Sequence, residues 1–241
     1  MGQQQGFNPT FENGGFWEYY RDLERQFENY LDYVPYLKGN ENTYSFRLAN
    51  IILAIGAHID SAFKEIAKYT VRFGKYPEIL NQKTKRGKHR KPTMKDYYPI
   101  SEEYNLTEEF VTFKCLPDRE NVTPFEQYNR KSEENYPYWW TDYNKIKHNF
   151  SDSFKKATLQ TVRDALAGAF LLNVIHEPAA DRFRRYKLLI PKYAPRGYQQ
   201  IYDKFRGRSI QPVFVSDLSS VDPYRIETPL FIYDYEKVII P

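Results

Sequence analysis

The chain has 241 residues, 41% of them hydrophobic and 17% aromatic, with a formal net charge of +4. That length suits one large domain with a sizeable core, and the mild positive charge permits an anionic partner without demanding one. The single cysteine, Cys115, excludes an intramolecular disulfide framework and the zinc sites built from two or four cysteines.

Residues 1–15 are polar and Gly-rich, which reads as a flexible tail with no signal peptide. Gly6 stands where a myristoylation sequence needs Ser or Thr, so no lipid anchor is expected. A first helix is predicted over 16–33, where Phe16, Tyr19, Tyr20, Leu23, Phe27, Tyr30 and Leu31 recur at three- and four-residue steps. Pro35 and Gly39 end it. A second helix runs from Phe46 to about 69–73, with Thr43 or Ser45 as its cap. Its middle is apolar on nearly all sides, which predicts a central, buried helix. The apolar spans 51–59 and 165–175 are too short to cross a bilayer. The chain reads as cytoplasmic, with no membrane partner, so the sequons at Asn105, Asn121 and Asn149 carry no weight.

Residues 74–137 hold Pro77, Pro92, Pro99, Pro117, Pro124 and Pro137. They read as an irregular insertion with short helices near 78–82 and 94–98 and a strand over 110–116. A third long helix is predicted over 151–176, capped by Asn149 or Ser151 and stopped by Pro178. Gly168 among Ala165, Ala167 and Ala169 predicts the close approach of another helix. A C-terminal extension, 179–241, follows, with a short helix over 196–205 and strands at 213–215, 230–233 and 237–240. The expected fold class is therefore mainly α: a helical domain over 16–178, its insertion, and a small extension containing short β-strands.

Segment 139–149 concentrates the richest chemistry: two indoles, two amides, two ammonium groups and an imidazole, directly before the third helix. On a helical turn Asn144 and His148 share a face. The Asn144 amide can then orient the imidazole or a substrate oxygen. His148 can move a proton near neutral pH, and Lys145 and Lys147 can attract a phosphate. This chemistry needs no metal, and no cofactor fingerprint accompanies it. The plain structural alternative makes His148 a backbone-bonded residue and Trp139 and Trp140 anchors of a loop.

A second cluster spans 83–91, where six of nine residues are Lys or Arg. Lys85, Arg86, Lys88 and Arg90 there can hold several phosphates, with Tyr97, Tyr98 and Tyr104 close enough in sequence to stack on RNA bases. A solvated loop is its structural alternative. Arg182, Arg184 and Arg185 read either as a similar patch or as salt-bridge partners. His58 reads as a satisfied core or dimer-seam histidine, Asp60 and Glu65 as partners of basic residues on another helix, His176 as a bond to the last helical carbonyls, and Cys115 as buried.

Two helices, an insertion, and Asn144-Lys145-Ile146-Lys147-His148 entering a long final helix resemble the HEPN superfamily. The resemblance covers 16–73 and 137–177 and rests on a motif of Arg, a polar residue, a short spacer and His. It implies an all-helical bundle and, in active members, metal-independent endoribonuclease activity through attack by the ribose 2′-hydroxyl. It also implies a homodimer with facing motifs, and toxin or phage-defence systems in which an antitoxin or other partner protein takes part. His148 is then the acid/base, Asn144 the orienting group, and Lys145 and Lys147 the phosphate contacts. The family arginine falls at Tyr143, so either a lysine replaces it or catalysis is lost. The alternatives are a non-catalytic HEPN-like module that binds nucleic acid, nucleotide or a partner protein, and a structural interaction protein whose aromatic surface and terminal strands recruit another chain, a reading that an apolar, uncharged patch around Trp139 would favour.

Overall fold

The computed structural model describes residues 15–115, 119–128, 136–175, 183, 190–191 and 224–235. Within them the chain is mainly α with one small antiparallel sheet. Six helices occur in the order α1 (Gly15–Leu31), α2 (Phe46–Arg72), α3 (Tyr98–Glu103), α4 (Tyr138–His148), α5 (Phe150–Ser153) and α6 (Leu159–Ile175). The strands are β1 (Val111–Phe113), β2 (Glu120–Val122), β3 (Ile190–Pro191), β4 (Tyr224–Glu227) and β5 (Phe231–Tyr235). The expected short helices of the insertion are 3-10 turns at Pro77–Ile79 and Met94–Tyr97, the second leading into α3. Most of the N-terminal tail, His176, Arg182, Arg184, Arg185 and the segments 196–205, 213–215 and 237–240 lie outside the described residues.

Of the stripe its periodicity predicts, α1 buries Phe16, Tyr20, Leu23, Phe27 and Tyr30, whereas Leu31 is partly buried and Tyr19 is exposed. Of the two caps open to α2, Ser45 is used: it is extended and accepts from the Leu48 N–H at 3.1 Å, satisfying one donor that the first turn leaves unpaired. α2 is long and apolar enough to cross a membrane, yet it forms the centre of the core, with Ile52, Ile55, Ile59, Phe63 and Ile66 fully buried. Asp60 and Glu65 pair with Lys64 and Lys68 on α2 itself, not with another helix as expected.

The predicted helix over 151–176 is broken. α5 passes into a 3-10 turn at Phe154–Lys156, and α6 starts afresh. The restart has local causes. Ala157 leaves the helical region at φ −78°, ψ 70°, and the Thr158 hydroxyl accepts from the Thr161 N–H at 3.1 Å. The first amides of α6, Leu159 and Gln160, donate to the carbonyls of Thr43 and Glu41 at 2.9 and 3.1 Å. Bonds supplied by the loop before α2 thus replace those a continuous helix would make. From Thr161 to Val174 every residue of α6 is buried.

α2 packs most extensively on α6, α1 lies against both, and α4 covers a further side of the pair. Gly168 accommodates a close approach, as expected, but by side chains: a Cβ there would lie 3.1 Å from Trp139 Cζ2 and 3.3 Å from Phe125 Cζ.

The sheet has the order β2-β1-β5-β4-β3. The strands expected over 110–116 and 230–233 appear as β1 and β5, and they pair antiparallel with Phe113 opposite Phe231. The insertion and the C-terminal segment therefore share one sheet. The β4–β5 turn is tied to α1 by the buried Glu24 carboxylate, which accepts from the Leu230 N–H at 3.2 Å and from the Thr228 hydroxyl and pairs with Arg21.

His58 is a core histidine, as the sequence suggests. Its Nε2 lies 2.8 Å from the Asn173 amide nitrogen, between the rings of Phe16 and Tyr19. Burial pushes its pKa down from 6.5 to about 4. Between those values the unfolded chain binds the proton and the folded chain does not. The contribution of His58 to stability is therefore lost as pH drops from 6.5 toward 4 and changes no further below. The loss is about 3 kcal/mol. Urea midpoints measured across this range for the wild type and His58→Gln should show the larger acid loss in the wild type. Equal losses would show that the imidazole is not held neutral.

Candidate functional site

The segment singled out in the sequence is itself a helix. α4 is preceded by Pro137 at its cap, whose carbonyl accepts from the Trp140 N–H at 2.9 Å. Its inner face is Trp139, Tyr143 and Ile146, all buried. Trp139 is 1% exposed and donates its indole N–H to the Pro124 carbonyl at 2.7 Å. It therefore offers no apolar surface patch. Tyr143 fills a notch in α2 made by Gly56, where an added Cβ would overlap the phenol ring.

With one face buried, the opposite face of α4 carries the chemistry. Tyr136, Trp140, Asn144, Lys145, His148 and Ser153 line an open cleft of about 500 Å³, completed by Thr141 and Asn149. His148 and Lys145 are exposed. Among the described residues no side-chain hydrogen bond holds the imidazole. The sequence places His148 at a helix entrance; the structure puts it at an exit, in the last turn of α4 with Lys145 and Lys147. Positive charge there complements the negative end of the helix dipole.

Asn144 and His148 line one cleft, as their spacing predicts. The Asn144 amide, however, donates to the Trp140 carbonyl at 3.0 Å rather than to the imidazole. Lys147 does not line the cleft; its ammonium sits 5.4 Å from the centre of the Tyr143 ring. Asp142 is half-buried, which raises its carboxyl pKa, and Lys156 at 3.5 Å partly offsets that rise. The Asp142–Lys156 pair ties α4 to the turn after α5. No arginine is among the described residues of the cleft.

The basic segment is an ordered loop. Lys83 bridges His89, and Gly87 makes the turn at φ +75°, a conformation glycine adopts without penalty. Lys85, Arg86 and Lys88 are exposed. Arg90 is not available for phosphate: it grips Asp96 with two bonds of 2.6 and 2.8 Å and reaches Gln82 at 3.1 Å. Two of the three expected stacking tyrosines are not available either, and the third, Tyr104, is partly buried. Tyr97 is fully buried against Phe63, with ring centroids 5.1 Å apart, and Tyr98 is buried beside Tyr128.

The two basic clusters do not meet. Tyr97, next to the Asp96 anchor of the loop, packs at the level of Phe63, whereas the end of the cleft packs at the level of Phe46 through Phe150. Those levels lie about 25 Å apart along α2 at 1.5 Å per residue.

Sequence reading missed a buried polar centre at the start of α6. Arg163 is 4% exposed. It bonds Asp164 at 2.5 Å and Glu120 at 2.8 Å, and its guanidinium lies over the rings of Tyr36 and Phe113 at 5.2 and 5.8 Å. Tyr138 donates to Asp164 at 2.5 Å. Burial and the Asp164 charge hold the Tyr138 hydroxyl protonated, well above the ordinary phenol range. Burial works against the Arg163 charge, but Asp164, Tyr36 and Glu120 outweigh it. These bonds tie β2, α4 and α6 together. A charged pair inside an apolar run was the available signal.

Cys115 is at the surface, not buried as expected. Local desolvation and the Glu28 carboxylate push its thiol up to about 11, which makes it a poor nucleophile. Among the described residues no group of three His, Cys, Asp or Glu side chains is placed to hold a metal ion. Comparison with protein-family models, curated proteins and solved structures finds no match for this chain.

Proposed function

We propose that this chain is an HEPN-like helical protein that cleaves RNA without a metal, with His148 as the acid/base and Lys145 at the phosphate. The observation that carries this reading is the exposed imidazole beside an ammonium group in a cleft large enough for a nucleotide. In the proposed reaction His148 takes the proton of a ribose 2′-hydroxyl. The 2′-oxygen attacks the adjacent phosphorus, and the bond from phosphorus to the 5′-oxygen breaks. The imidazolium returns its proton to that leaving oxygen. The products are a 2′,3′-cyclic phosphate and a 5′-hydroxyl. Lys145 offsets charge on the phosphoryl oxygens, and Trp140 and Tyr136 supply aromatic walls.

The test is cleavage of a mixed RNA pool in EDTA by the wild type and His148→Ala. Cleavage that disappears in the variant supports the reading. No cleavage by folded wild type at high concentration removes it.

A second reading, an RNA-binding module without catalysis, is favoured by Tyr143. The position where the resemblance requires arginine is buried on Gly56 and points away from the cleft lining. Tyr143→Arg should therefore lower stability by about 2 kcal/mol, its long stem lifting the charge only part of the way to solvent. It should leave cleavage no higher than in the wild type. Faster cleavage in that variant would show that position 143 reaches the scissile phosphate.

A further inference from the structure

Three of the seven exposed aromatic residues among those described gather where the first turn of α2 meets α5. Phe46 is 60% exposed, Tyr44 44% and Phe150 37%. The three phenylalanine rings there are nearly parallel. Phe46 stacks on Phe154 at 4.6 Å and 20°, and on Phe150 at 6.1 Å and 14°; Phe150 and Phe154 are 6.4 Å apart at 24°. Tyr44 meets Phe154 edge-on at 5.8 Å. Phe150 follows Asn149 and His148 in the chain, and Ser153, one residue before Phe154, lines the cleft. The ring cluster and the cleft are therefore contiguous.

We propose that Phe46 and Phe150, supported by Phe154 and Tyr44, form a base-stacking platform that leads single-stranded RNA into the His148 cleft. The proposal rests on the RNA reading above and adds the subsite and the strandedness of the ligand. Two features decide the occupant. The first is charge. Lys155 stands 6.0 Å over the Tyr44 ring, and the exposed Lys145 lines the adjoining cleft. A ligand that offers flat apolar faces strung on anions fits both the rings and this rim. A second copy of the chain, docked face to face, would set the same cations against each other. The second feature is flatness. Near-parallel rings suit bases that are unstacked and free to lie on them, which a duplex does not offer.

The experiment is fluorescence anisotropy with the full chain in EDTA. His148→Ala is the background, so that the RNA stays intact. The probe is a labelled ten-nucleotide single-stranded RNA, with an abasic oligomer of equal length and a duplex as comparisons. Adding Phe46→Ala and Phe150→Ala should weaken single-strand binding about tenfold. The salt slope should not change, because no charge is altered. The abasic oligomer should bind the intact platform as weakly as the RNA binds the double variant. Circular dichroism checks the fold, and both rings are exposed enough to be truncated without opening the core.

Single-strand binding indifferent to both rings but lost on Lys145→Ala overturns the platform and leaves the RNA reading standing. No binding of any RNA with the rings intact overturns both. Duplex bound as tightly and as sensitively to the rings overturns the assignment to single strands. A dimer in sedimentation that the double variant converts to a monomer assigns the rings to a second copy and overturns the proposal.

Discussion

If the chain cleaves RNA as proposed, His148→Ala is expected to lower the rate by about 10² to 10⁴-fold, the range that a positioned acid or base contributes. Three structural facts make the effect separable from folding. The imidazole is exposed, lies in the last turn of α4, and among the described residues holds no side-chain hydrogen bond. Truncating it therefore removes no core contact, and the melting curve should not move. RNA affinity should fall only modestly, because Lys145 and the aromatic walls remain. The cleft is open and about 500 Å³ in volume, so free imidazole added to the variant should enter and restore part of the rate. Initial rates in EDTA, with and without added imidazole, are the measurement. Undiminished cleavage by the variant would move the chemistry away from α4.

Arg163→Ala is expected to cost about 3–5 kcal/mol of stability, the range for removing one partner of a buried ion pair. Asp164 would keep only its bond from Tyr138 while remaining 7% exposed. Glu120 would lose its tie to α6, and the guanidinium contacts with Tyr36 and Phe113 would vanish. The penalty comes chiefly from the stranded carboxylate. Arg163→Met combined with Asp164→Asn should therefore recover part of the loss, since no buried charge remains and Tyr138 keeps an acceptor. Guanidinium unfolding of the three proteins decides this. A loss below about 1 kcal/mol, the level of a surface pair, would show that the network is solvated in solution.

The helical core was legible where one rule dominates. Periodicity alone places α1 and α2, because their apolar stripes decide which face is buried, and Ser45 is readable as a cap because its hydroxyl has a local use. The break at Ala157 was not legible. The residues that satisfy the first amides of α6 are Glu41 and Thr43, more than a hundred positions earlier, and no local pattern announces them. Arg163 and Asp164 were passed over for a similar reason: their partners come from β2, α4 and the loop holding Tyr36. In the candidate site the spacing correctly placed Asn144 and His148 on one face. It could not show that Tyr143 and Lys147 are turned away, since that follows from the notch at Gly56. The aromatic platform was hidden because Phe46 and Phe150 belong to different helices, and each reads as core when taken alone.

The pairing of β1 with β5 has a temporal consequence. Phe113 leaves the ribosome more than a hundred residues before its partner Phe231, an interval of about ten seconds at ordinary elongation rates. During that time the β1–β2 hairpin has an open hydrogen-bonding edge, and Glu24 on α1 lacks the amide and hydroxyl that later satisfy it. A nascent chain with an unpaired edge is a template for misassociation. Closure of the sheet is thus a late, long-range step of synthesis, which waits for the β4–β5 hairpin.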